Sequence, residues 1–106
     1  MFTINGIAWR IIFVDSGSQY LERSDGSITI GMTDGNSHTI YLDRHLHGRL
    51  LDKVTAHELT HAFCFSYGVF MDIEQEEFMA DWVSNYGRDL IYLLDDLMGQ
   101  LQRARA

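Results

Sequence analysis

Leu50, Val54, His57, His61 and Phe65 recur at steps of three and four, and Leu51, Thr55, Leu59, Ala62 and Phe63 widen the same face. That is helical periodicity, and it predicts a helix from Gly48 to Ser66, with Tyr67-Gly68 as its stop. A second stripe starts near Ile73 and runs through Met79, Val83, Tyr86, Leu90, Leu93 or Leu94, Leu97 and Leu101, with Phe78 and Trp82 beside its first half. Gly87 interrupts that stripe, at a cost of about 1 kcal/mol relative to alanine, and predicts a kink or break.

The first half of the chain follows a different rule. Residues 4–14 are rich in β-branched and aromatic side chains and read as one strand, Ile4 to Val14. Ser27 to Met32 alternates polar with apolar, Asp34-Gly35-Asn36 is a turn signal, and His38 to Leu42 is apolar again, so residues 27–43 read as a hairpin. Residues 15–27 carry serine, glycine and aspartate turn chemistry and are the expected mobile segment. The expected fold is therefore α+β. A small, mainly antiparallel sheet of two to four strands precedes a helix and a long or kinked C-terminal helix, all in one domain over residues 1–106.

The first helix carries the chemistry. His57-Glu58-Leu59-Thr60-His61 reads H-E-x-x-H, and residues four apart share a helix face, so both imidazoles reach one ion. Zinc prefers such ligands and lowers the pKa of a bound water to about 7; Glu58, beside the ion, can take the proton. A third ligand is then required. Glu74, Glu76 and Glu77 open the second helix, and Glu77 and Asp81 stand four apart as the histidines do. Glu77 can complete the ligand set while Asp81 accepts the free ring N–H of His57. Glu74 is the alternative ligand.

His57-Glu58-Leu59-Thr60-His61 followed by Glu77-Phe78-Met79-Ala80-Asp81 resembles the gluzincin metallopeptidases. The step of 16 positions from His61 to Glu77 and the short chain make it most similar to the minigluzincins and to small phage or prophage metallopeptidases. The resemblance implies a minimal zincin-like domain. In it His57, His61 and Glu77 would bind one Zn²⁺ per chain, Glu58 would be the general base, and Asp81 would orient His57. It also implies a peptide or protein substrate and, in chains of this size, latency through a tail that blocks the site. Larger members use a distal His or Tyr against the oxyanion; here Tyr67, Tyr86 and His38 qualify by residue type alone.

Composition narrows the partners. A formal charge of -7 with scattered basic residues disfavours nucleic acid. No apolar run reaches the ~20 residues of a membrane span, and the N-terminus lacks a signal-peptide pattern, so a cytoplasmic location is expected. Cys64 is the only cysteine and reads as a small core residue. The leucine stripe from Leu90 to Leu101 leaves a homodimer open. The expected function is zinc-dependent peptide hydrolysis; the competing expectation is a zinc-bearing regulatory or interaction protein with little turnover. An edge strand within residues 38–43 or 27–33 is expected to pair with an extended substrate.

Overall fold

The computed structural model describes residues 1–105. The N-terminal strand of the sequence reading is in fact two, β1 (Phe2–Ile4) and β2 (Ile7–Val14). They pair antiparallel about Asn5-Gly6, with Ile4 opposite Ile7. Both turn residues have positive φ, 49° and 77°. A two-residue turn of this hand matches the strand twist, and Asn-Gly is its strongest sequence signal. The break was written in the chain and masked by the apolar run around it.

Strand β3 (Gly31–Asp34) forms a hairpin with β4 (Thr39–Asp43), as the turn signal predicts. Asp34 accepts from the backbone N–H of Asn36 at 2.9 Å and from the Ser37 hydroxyl at 2.9 Å, which closes the loop. Strand β3 starts four residues later than expected. Residues 21–29 close back on themselves instead, through Arg23 N–H to Ser27 O and Thr29 N–H to Leu21 O, and Ile28 and Ile30 stay exposed. The segment expected to be mobile holds a short 3₁₀ turn, Gln19–Leu21. Leu21 is wholly buried there and Tyr20 stacks on Tyr41 at 4.7 Å.

The sheet order is β1-β2-β4-β3. Two of its three pairings are antiparallel. The central one, β2 with β4, is parallel. A parallel pair needs a crossover of a dozen residues or more, and the stretch between β2 and β3 supplies it. Strand β4 is thus interior, and β3 is the free edge beside the helices.

Helix α1 (Gly48–Ser66) has the predicted bounds. It ends where Gly68 turns left-handed at φ 65° and the Val69 N–H closes on Cys64 O at 2.8 Å. Its buried residues are Glu58, Thr60, Ala62, Cys64 and Ser66, while Leu50, Phe63 and Phe65 stay exposed. The expected face was too heavy: small side chains lie where α1 crosses the sheet, Phe65 rims the cleft beside it and Phe63 stacks on Tyr67 outside it. The core gathers Ile4, Trp9, Ile40, Leu42 and Ala62, with Leu51, Val54 and Leu59 packed against it. Trp9 donates its indole N–H to Ser66 Oγ at 2.8 Å, tying β2 to the end of α1.

Helix α2 (Ile73–Trp82) packs on α1 through Ala80, which is fully buried and lets the two backbones approach. Its last turn passes without a break into a π-helical segment, Val83–Gly87, and then into α3 (Arg88–Arg105). The Ser84 hydroxyl and Asn85 amide both donate to Asp81 O, at 2.8 and 2.9 Å. Side chains that claim a helical carbonyl disturb the regular ladder, which accounts for the wider turn. The interruption expected at Gly87 is this bulge. Helix α3 has no buried residue.

Candidate metal centre

Helix α1 presents His57 and His61 one turn apart, and α2 brings Glu77 over both. His57 Nε2 is 3.3 Å from His61 Nε2 and 3.1 Å from Glu77 Oε2, and His61 Nε2 is 2.9 Å from Glu77 Oε1. The three form a group close enough to hold a metal ion. Glu74, the alternative ligand, is exposed in the first turn of α2 and outside that group.

The other ring nitrogens are engaged from behind. Asp81 Oδ1 lies 2.9 Å from His57 Nδ1, the pairing the sequence spacing anticipated. Glu76 Oε2 lies 3.4 Å from His61 Nδ1, which the sequence reading did not assign. Glu76 directly precedes Glu77, so its helix angle differs by about 100°, enough to reach around the second imidazole. Its place among three glutamates at a helix start hid it, because acidic residues favour any first turn.

These carboxylates bear on the donor chemistry. His57 Nε2 is within hydrogen-bond distance of Glu77 here; with a cation bound, Asp81 and Glu76 beside the Nδ1 atoms would favour the tautomer that leaves each Nε2 as a lone pair. Two lone pairs then converge with a carboxylate, an arrangement that a cation satisfies. Size agrees. Ligand bonds of ~2.0–2.1 Å in a tetrahedral shell put neighbouring donors roughly 3.3 Å apart. The separations of 2.9, 3.1 and 3.3 Å fall at or slightly inside that edge. The site is open on one side: the side chains of His57 and His61 are 20% and 13% exposed, but that of Glu77 is 45%.

Glu58 lies beside the group, 8% exposed. Thr33 on β3 donates to its Oε1 at 2.8 Å, a contact that fixes the carboxylate against the edge strand. Gly31 leaves it room, since a methyl there would stand 3.1 Å from Glu58 Cγ and 2.7 Å from Val54 Cγ1. Neither residue was singled out from the sequence; the alternation of β3 pointed to a strand but not to what it would touch.

A cleft of about 320 Å³ surrounds these groups. Met32 and Thr33 of β3 form one wall, Phe65, Val69, Phe70 and Ile73 an apolar stretch, and Arg23 lies along it as the one cationic side chain. None of Tyr67, Tyr86 and His38 lines it. Tyr67 stacks on Phe63, Tyr86 leans on Trp82, and His38 packs between Trp9 and Phe65. Cys64 is buried behind the centre, where desolvation and the nearby Glu76 push its thiol up to about 11. That makes it a poor nucleophile.

Among the described residues no helix is long and apolar enough to cross a membrane. No family model, no curated protein and no solved structure matches this chain.

Proposed function

We propose that the chain is a zinc-dependent peptidase whose metal is held by His57, His61 and Glu77. The observation that carries this reading is the convergence of those three donors with Glu58 fixed alongside them. Two imidazoles and one carboxylate suit zinc among divalent ions, and three protein ligands with an open side are the pattern of a catalytic rather than a structural site. An ion there supplies a Lewis acid for the scissile carbonyl and a water acidic enough to attack at neutral pH.

The remaining work falls to the protein. Glu58 accepts the proton at its free carboxylate oxygen, Oε2, while Thr33 holds Oε1, and returns it to the leaving amine. Asp81 and Glu76 keep both imidazoles in the ligating tautomer. The unpaired edge of β3 takes an extended peptide as an added strand, and the apolar wall from Phe65 to Ile73 receives its side chains. Residues 38–43 cannot serve that purpose, because β4 is hydrogen-bonded on both sides. Arg23, rather than Tyr67, Tyr86 or His38, is the lining group suited to meet negative charge developing on the carbonyl oxygen.

The test compares three proteins on an unfolded polypeptide substrate. Wild type is expected to cleave it, Glu58→Gln to keep its metal and lose about 10²–10⁴-fold in rate, and His61→Ala to lose both. Metal retained by the wild type, with no cleavage by any of the three, would replace the peptidase with a zinc-bearing regulatory protein.

A further inference from the structure

Helix α3 is the part of the molecule that the cleft does not use. Its 18 residues span ~27 Å, which matches the excess of the 56 Å long axis over the 30 and 28 Å of the others. The radius of gyration is 16.2 Å, where a compact chain of this length would give about 13 Å. The helix thus extends away from the domain, anchored near its start where Arg88 meets Asp52 at 2.6 Å.

One side of it is apolar without interruption. Leu90, Leu94, Leu97 and Leu101 alternate steps of four and three, and Ile91 and Met98 widen the stripe. These six side chains are 42–54% exposed, as in a helix with nothing packed on it. A leucine seam with a spacing of 3.5 residues is built to meet another helix of the same spacing.

We propose that α3 is a dimerisation arm that pairs antiparallel with α3 of a second copy. The seam is self-complementary in that direction: Leu90 meets Leu101 of the other copy, Leu94 meets its Leu97, and the two-fold axis lies between residues 95 and 96. Charge selects the same direction. Asp89, Asp95 and Asp96 lie in the first two-thirds of the helix and Arg103 and Arg105 at its end, while Arg88 at its start is already paired with Asp52. An antiparallel pair sets each Arg103–Arg105 end level with its partner's Asp89 and leaves only the aspartates at the axis, Asp95 and Asp96, level with their like, whereas a parallel pair sets every charge level with its own copy. The area suffices. Six aliphatic side chains at about half exposure offer on the order of 500 Å² per copy, so the pair reaches the ~1,000 Å² of a specific interface. A lipid surface fits less well, since helices that lie on membranes carry basic polar faces and this one balances its three arginines with three aspartates in a chain of charge -7.

The test is the mass of the intact chain in solution by light scattering at tens of micromolar. The expected value is twice 12.2 kDa. Leu97→Glu should weaken the dimer at least about 100-fold, by setting an unpaired charge in the seam. Tyr92→Glu, on the opposite side, should leave it intact and so controls for helix unravelling. Mixed Leu90→Cys and Leu101→Cys chains should form a heterodimeric disulfide on mild oxidation, since Cys64 is buried. A wild-type monomer, with or without binding to anionic vesicles, would overturn the proposal. So would a dimer indifferent to Leu97→Glu, or one that Leu101→Cys alone cross-links efficiently.

Discussion

Helices α1 and α3 are nearly equal in length, yet they handle apolar residues in opposite ways. In α1 the buried positions are small or polar, Glu58, Thr60, Ala62, Cys64 and Ser66, and the helix is pressed between the sheet and α2. In α3 six aliphatic side chains share one face and none is buried. The difference follows from what each helix is for. A helix that must bring ligands within about 3 Å of a neighbouring helix needs close backbone approach, which the buried Ala80 of α2 permits. A helix that extends from its domain gains by presenting bulk. Hydrophobic side chains therefore report where a helix can be covered, and small ones where it already is.

The sharpest way to break this contrast is to remove a ligand. Zinc binding in four-ligand sites amounts to roughly 10–16 kcal/mol, so one ligand carries about 3–4, or two to three orders of magnitude in affinity. His61→Ala should lose that much by competition with a chromophoric chelator. Leu94→Ala should lose none.

Next in size is the core. Leu42 is 1% exposed between β2 and β3, and Leu42→Ala should cost about 2–5 kcal/mol in urea unfolding. Leu94→Ala, measured at concentrations where the chain is monomeric, should stay within about 0.5 kcal/mol. Equal losses would mean that α3 is covered by its own domain.

A smaller effect sharpens the view of α1. Asp81→Asn should weaken zinc by about 10–100-fold through the orientation of His57, and Glu76→Gln should act similarly through His61. Affinity unchanged in both would leave the paired carboxylates without a role in holding the rings.

The smallest prediction lies on the sheet. The Ser16 hydroxyl, at 2.6 Å, and the His45 backbone N–H hold the Asp43 carboxyl below the usual carboxylate range. A group whose folded pKa is depressed adds stability above its unfolded value, near 4, and that stability is lost as the pH falls through the folded value. Asp43→Asn should therefore flatten the fall in stability below about pH 4 and leave the slope above pH 6 unchanged.

The bounds of α1, the Glu77–Asp81 pairing and the bulge region near Gly87 were legible because each rests on spacing within one helix, where three and four residues set who is a neighbour. The parallel β2–β4 pair, Thr33 against Glu58 and Glu76 behind His61 were not. Each depends on how separate elements dock, and nothing local encodes which strand becomes an edge. The Asn5-Gly6 turn is a different case: its local signal is strong, but it lies inside a continuous apolar run that reads as one strand.

The central claim is that His57, His61 and Glu77 form one metal site. Zinc content per chain, measured on untagged protein purified without added metal and again after titration with zinc, tests it most directly. The account predicts one zinc per chain in wild type and none tightly held in His61→Ala. A wild-type chain that contains no metal and takes up none when zinc is offered would contradict it.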